Sequence, residues 1–186
     1  MKRCFDLILA SILSVLALAP CALIALLVRV TSQGPAIYWS DRVGQHNRNF
    51  RMPKFRSMRT TTPAVATHLL KNPGEHLTPV GAILRRSSLD ELPQIWSVLV
   101  GEMSLVGPRP ALFNQHDLVE ARTAAGVHRL RPGITGWAQV NGRDEIPISA
   151  KVALDAEYLA RQSVLFDLEI LFLTAWKVIR RVGVSH

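Results

Sequence analysis

The segment Arg85-Arg86-Ser87-Ser88-Leu89-Asp90-Glu91-Leu92-Pro93-Gln94 sets two adjacent carboxylates just after two arginines. Such a pair can cap a helix, or it can react: an ionised carboxylate beside a phosphate site can attack phosphorus, hold a metal, or do both. Ser88-x-x-Glu91 matches a capping box, the purely structural use. Pro93 opposes that use. Counted from Ser88 it would be the fifth helical residue, where a backbone N–H is already needed; counted from Asp90 it is the third, where none is. The spacing therefore predicts a helix from about Asp90 to Val100, with both acids at its positive end, where carboxylates stay ionised and phosphate is attracted. On this segment alone, an ordinary acidic first turn and a reactive pair are equally supported.

Three other segments have the makings of anion sites. Lys54-Phe55-Arg56-Ser57-Met58-Arg59 carries cations at alternate positions. Gly107-Pro108-Arg109-Pro110 fixes one arginine between prolines, so little backbone freedom is lost on binding. The stretch from Arg131 to Arg143, RPGITGWAQVNGR, is a glycine-bearing loop with an arginine at each end. Glycines let backbone N–H groups approach phosphate oxygens, and arginine binds them in a planar fork. Each signal is weak by itself, because such loops usually only turn the chain. Together they point to a diphosphate-bearing substrate met by arginines. No Walker-A or GxGxxG pattern occurs, the six histidines show no HxxxH pairing, and Cys4 and Cys21 make neither a disulfide framework nor a CxxC site.

These residues need elements to hold them. Ala36–Asp41 and Asn49–Met52, around a turn at Gly44–Asn47, read as a short β-hairpin. Thr78-Pro79 fits an N-cap with proline at the first helical position, opening a helix to about Arg85. Loops are expected at 101–110 and 131–147, with a polar helix between them over about 111–124. Further helices are expected over about 148–161 and 164–182. The last has Asp167 and Glu169 early and Lys177, Arg180 and Arg181 late, which suits the helix dipole. Its nearly all-round apolarity, with Trp176 beside the basic cluster, suits a membrane interface and a plain core helix equally.

The 186 residues suit a single domain, and at 48% hydrophobic they are too apolar for disorder. The net charge is +8, and +7 of it lies in the first 60 residues, which hold nine Lys/Arg against Asp6 and Asp41. That basic excess flanks Leu7–Val28, a run of 22 uncharged residues and enough to cross a bilayer core as a helix. The run is too long for a usual signal peptide. Lys2 and Arg3 precede it, Arg29 follows, and basic flanks prefer the cytoplasmic side. Pro20 near its middle should kink the helix. Charge and proline leave a spanning helix and a re-entrant one evenly matched. A nucleic-acid binder would interleave its cations with aromatics, but the aromatic fraction is 6%. A non-catalytic basic membrane scaffold explains none of the motif spacing.

The RSSLDELPQ, GEMSLVGPRP, RPGITGWAQVNGR and KFRSM segments resemble the bacterial sugar transferase family, the small monotopic polyprenyl-phosphate phosphoglycosyl transferases, over nearly the whole chain. The resemblance implies a mainly α fold with a short β-hairpin, in one domain over 1–186. Residues 1–32 would form a re-entrant membrane helix broken at a proline. Residues 33–186 would form a catalytic core with interfacial amphipathic helices, on the cytoplasmic face of the inner membrane. It implies transfer of a sugar phosphate from a UDP-sugar to undecaprenyl phosphate, with release of UMP, Mg²⁺ as cofactor and membrane lipids as partners. Asp90 would be the covalent nucleophile and metal ligand, and Glu91 its dyad partner. Lys54, Arg56, Arg85, Arg109, Arg131, Gln139 and Arg143 would contact phosphate and substrate. The family hinge often reads Ser-Pro; here it is Ala19-Pro20, with no hydroxyl at 19. No nucleic-acid partner is expected. A homo-oligomer, the particular UDP-sugar and the glycan made are left open.

Overall fold

The computed structural model describes residues 1–63, 72–142 and 146–180. It is mostly helical, with two small sheets. The apolar run becomes α1 (Lys2–Thr31), a single 30-residue helix that stays helical through Pro20. The expected break at the proline is not seen; a proline removes one N–H bond, and contacts at both ends hold the rest of the helix. At the N-terminal end Arg3 donates to the carbonyls of Val98 (2.7 Å) and Leu99 (3.1 Å). Fully buried Asp6 accepts from the Ser104 hydroxyl (2.9 Å) and the Leu105 N–H (3.3 Å). Lys2 lies 3.1 Å from Asp6 and 2.6 Å from buried Asp167. At the C-terminal end Val28 is buried and packs with Phe55 and Leu84, while Arg56 clasps the carbonyls that follow the helix. Much of the remaining surface of α1 is exposed leucine, isoleucine and valine. Among the described residues it is the one helix long and apolar enough to cross a membrane.

The hairpin forms where expected but runs longer. Strands β1 (Ile37–Val43) and β2 (Asn49–Phe55) are antiparallel, with Trp39 opposite Pro53. The turn between them takes a left-handed backbone at His46 and Asn47, a conformation asparagine tolerates. The far end of β1 gains a second neighbour: β4 (Ala111–Leu112) sets Leu112 opposite Arg42.

Helix α2 (Gly81–Ser87) begins two residues after Pro79, later than expected, but the Gly81 N–H donates to the Thr78 hydroxyl at 3.0 Å, so Thr78 still serves the start of the helix. After α3 (Gln94–Val100), strand β3 (Ser104–Val106) pairs in parallel with β5 (Gly133–Thr135). Both strands lie in stretches expected to be loops. Three residues are too few to show a period of two, so the pairing is legible only in three dimensions. The predicted polar helix starts late, as α4 (His116–Ala124), and a short α5 (Trp137–Asn141) interrupts the expected 131–147 loop. Helix α6 (Ile148–Arg161) matches its prediction; α7 (Val164–Arg180) matches as far as the structure describes it. Val98, Met103, Val106, Tyr158, Phe166 and Ile170 form the centre of the core. Helix α7 buries Phe166 and Ile170 and leaves Leu165, Leu168, Phe172 and Trp176 exposed, so it is apolar on both faces.

Candidate active site

Ser88 ends α2 in a left-handed backbone conformation, with its N–H turned back to the carbonyls of Leu84 and Arg85. It caps nothing with its side chain, which removes the capping-box reading. The chain then makes a single 3₁₀ turn, Leu89–Glu91, and α3 begins only at Gln94. The helix expected from Asp90 therefore starts one turn later. Pro93 stands immediately before it, where a missing N–H costs nothing. The acids' electrostatic surroundings come from side-chain cations instead.

Lys54, near the end of β2, places its Nζ 2.7 Å from Glu91 Oε1. Arg109 Nη2 lies 2.9 Å from the same oxygen. Burial alone would raise the Glu91 pKa, but Arg109 and Lys54 outweigh it and hold this carboxyl far below the usual glutamate range. Asp90 behaves oppositely: it is 7% exposed, and burial pushes its pKa up, with Glu91 adding to the rise and Lys54, Arg85 and Arg109 pulling against it. Burial also lowers the Lys54 pKa, against the attraction of Glu91 and Asp90. Arg85 is oriented by a 3.1 Å bond from Nε to the Ser57 hydroxyl, and it feels both carboxylates. Adjacent acids driven in opposite directions are a pattern of acid–base and nucleophilic sites.

The Gly107–Pro110 loop is held from behind by arginines. Arg122 donates to the Arg109 carbonyl (2.8 Å) and is gripped by buried Asp155 through Nε (2.9 Å) and Nη2 (2.7 Å). Arg42 donates to the Pro110 carbonyl (3.2 Å) and to Ser40 (3.0 Å). Sequence reasoning missed the Arg122–Asp155 pair, since nothing local relates residues on α4 and α6. The glycines here serve packing: a Cβ on Gly107 would come 2.4 Å from the Arg131 carbonyl, and one on Gly136 would come 2.0 Å from the Gly107 carbonyl. The Gly107 N–H itself is bonded to the Thr135 carbonyl (2.9 Å).

Three expected contacts do not join this cluster among the described residues. Arg56 is a correction: 5% exposed, it donates to Pro35 (2.8 Å), to both oxygens of Ser32 (3.0 and 3.1 Å), to Gly34 (3.2 Å) and to Gln33. Its guanidinium is spent on the chain leaving α1. Gln139 donates to Ile134 (3.0 Å) while its buried Oε1 has no partner, and the buried Nε of Arg131 has none either, among the described residues. No bond among the described residues ties either one to the carboxylates. Arg143 lies outside the described residues.

No group of three metal-ligating side chains occurs among the described residues. Mg²⁺ does not need one, because it is usually held by one or two carboxylates plus substrate phosphates. With Glu91 Oε1 shared by two cations, Asp90 is the carboxylate suited to that role.

The family model for bacterial sugar transferase matches residues 1–181. The chain is 43% identical to undecaprenyl-phosphate glucose phosphotransferase of Komagataeibacter xylinus, over 93% of this chain and 35% of that protein. It is 37% identical to undecaprenyl-phosphate galactose phosphotransferase of Salmonella typhimurium, over 98% and 41%. With the uncharacterized sugar transferase EpsL of Bacillus subtilis it shares 39% identity, over 100% of this chain and 91% of that one. The chain thus spans well under half the length of the first two and nearly all of the third.

Proposed function

This chain belongs to the bacterial sugar transferase family, and from that premise we propose that it transfers a sugar phosphate from a UDP-sugar to undecaprenyl phosphate and releases UMP. The carrying observation is the pair Asp90 and Glu91: one acid is fixed as an anion by Lys54 and Arg109, and its neighbour is buried and raised beside the same cations.

In this reading Asp90 Oδ attacks the phosphorus that bears the sugar. The bond from that phosphorus to the UMP oxygen breaks, leaving an acyl phosphate on Asp90. An oxygen of the lipid phosphate then attacks the same phosphorus, the Asp90 carboxylate leaves, and a lipid diphosphate sugar forms. No proton has to move in either step. Lys54, Arg85 and Arg109 offset the charge that gathers on the phosphoryl oxygens. Glu91 orients Lys54 and Arg109 through its shared oxygen. Splitting the transfer in two spares the site from holding both bulky phosphates at once. Bound Mg²⁺, taken by Asp90 with substrate phosphates, would lessen repulsion between the carboxylate and the diphosphate.

The placement of α1 supports a monotopic enzyme. Its two ends bond to the same core, so a spanning topology would break the contacts of one end. Its exposed apolar face and that of α7 would then meet lipid, with the basic first third at anionic headgroups on the cytoplasmic side. The test is transfer of radiolabel from a panel of UDP-sugars into extractable lipid, together with mass analysis of protein given UDP-sugar and Mg²⁺ without acceptor. One sugar phosphate should appear on the peptide containing Asp90. Asp90→Asn should lose both UMP release and lipid product by about 10⁴-fold or more. Robust turnover by that variant, or an adduct elsewhere, defeats the assignment, and a protein with no transfer at all would be the non-catalytic scaffold.

A further inference from the structure

Helix α7 meets the protein with two buried apolar residues, Phe166 and Ile170, and two polar ones, Thr174 and Lys177. Lys177 donates to the Val140 carbonyl in α5. Thr174 lies 2.7 Å from the hydroxyl of buried Thr135 on β5. A hydroxyl has one proton to give, and that of Thr174 goes to the Ile170 carbonyl at 2.7 Å. Thr135 is therefore the donor, and Thr174 Oγ1 is its acceptor. Thr135 hands this tie on toward the carboxylates. Its carbonyl accepts from the Gly107 N–H (2.9 Å), and the Gly133 N–H at the start of β5 donates to the Pro108 carbonyl (2.9 Å). The fit leaves no slack, since a Cβ on Gly133 would lie 2.1 Å from the Gly107 nitrogen. Arg109 follows directly, with Nη2 2.9 Å from Glu91 Oε1.

We propose that Thr174 is a positioning residue for phosphoryl transfer: through Thr135 and Gly107 it sets where Arg109 stands beside the carboxylate pair. The proposal rests on the transferase reading above and extends it to a helix that contributes none of the site's cations or acids. A buried hydroxyl that loses its acceptor must turn toward another partner or stay unsatisfied. Either outcome moves β5 under Gly107 and Pro108, while Phe166, Ile170 and Lys177 keep α7 itself in place. Arg109 then keeps its charge and loses its aim. Its service is to the charge gathering on the phosphoryl oxygens in the transition state, so the loss falls on turnover more than on binding.

Variants of the full chain, reconstituted in phospholipid vesicles, test this with undecaprenyl phosphate and a UDP-sugar that wild type uses. Thr174→Val keeps the shape of the side chain and removes the acceptor. Its kcat should fall about tenfold while the UDP-sugar KM moves less than about twofold. Thr174→Ser keeps the hydroxyl and should restore kcat. The sharpest reading is a double-mutant cycle with Arg109→Met. If Thr174 acts through Arg109, adding Thr174→Val to Arg109→Met should cost nothing further, whereas a general loosening of the fold would multiply the two losses. An unchanged kcat in Thr174→Val overturns the proposal. So does a defect that serine does not restore, or a further loss in the Arg109→Met background. If Thr174→Val fails to fold, Thr135→Val breaks the same bond from its other side and decides by the kcat, KM and Arg109→Met readings. Wild type that turns over with Thr174→Val indistinguishable from it sinks the positioning role alone; wild type with no transfer to undecaprenyl phosphate sinks the transferase reading beneath it.

Discussion

Lys54 and Arg56 are neighbours but one, yet they serve different parts of the molecule. Lys54 ends on a carboxylate, sharing Glu91 Oε1 with Arg109 beside a second, buried acid. Arg56 ends on main-chain carbonyls and the Ser32 hydroxyl, where it closes the exit from α1. Strand β2 stops at Phe55, so the alternation that would put both side chains on one face lapses between them. A basic run is therefore uninformative about phosphate until its partners are known. A cation paired with a carboxylate at an open site can exchange some of that pairing for phosphate. One saturated by carbonyls has nothing left to offer.

Removing Lys54 should give the largest effect short of deleting Asp90. Lys54→Met takes away a cation from the reacting phosphoryl group, so UMP release should fall about 10²- to 10³-fold. The pH profile adds a signed test. Asp90 must be ionised to attack, and Lys54 lowers its pKa against burial. Without Lys54 that pKa rises further, so activity in the variant should be lost at a higher pH than in wild type as the medium is acidified. An acid limb that stays put would separate Lys54 from Asp90. Arg56→Met should invert the pattern. Stability measured by denaturant should drop by about 3 kcal/mol, because several buried carbonyls lose their donor, while both KM values of the folded protein stay near wild type. A large kinetic defect in the folded Arg56 variant would return Arg56 to the substrate site.

What the sequence made legible follows the range of the interactions. The hairpin, the Thr78-Pro79 cap and α6 depend on neighbours a few residues away, and all three appear close to where they were read. Pro93 correctly ruled out the capping box, but its penalty fixes only where a helix cannot begin, so α3 starts later than Asp90. The β3–β5 pair escaped because its strands are three residues long, nearly thirty positions apart, and framed by glycines that read as loop. The ties at the head of α1 bring Arg3 to Val98 and Asp6 to Ser104. No local pattern announces those contacts, and the same holds for the Asp155–Arg122 support of Arg109.

That support predicts a smaller effect on the Lys54 side of the comparison. Asp155→Asn weakens the grip on Arg122, which holds the Arg109 carbonyl. Arg109 keeps its charge and loses only some of its placement, so kcat should fall about tenfold. The UDP-sugar KM should change less, which a merely unstable fold would not produce. Equal loss in kcat and in the amount of folded protein would assign the pair to stability alone.

The smallest effect is expected at Pro20, on the Arg56 side. A proline inside a helix usually dictates its bend, and on charge and proline alone it would be the residue that returns α1 to the cytoplasmic face. For the monotopic placement proposed above, the contacts of α1 offer a second basis. Arg3, Lys2 and Asp6 fasten one end of α1 to α3, β3 and α7, and Arg56 fastens the other. A spanning helix would have to abandon one set; losing the first would strand the buried carboxylate of Asp167 without Lys2, at a cost of about 3–5 kcal/mol for breaking a buried ion pair. Straightening at Pro20 restores one hydrogen bond, worth only about 1 kcal/mol. Pro20→Ala should therefore leave both ends of α1 on the same side. Native Cys4 alone, and a single cysteine just after Arg29 in a background free of other cysteines, labelled from outside intact cells, check this. Neither should react, with or without Pro20→Ala. Adding Arg3→Met and Asp6→Asn to Pro20→Ala should then expose position 4, and exposure by Pro20→Ala alone would show that the proline outranks the anchors.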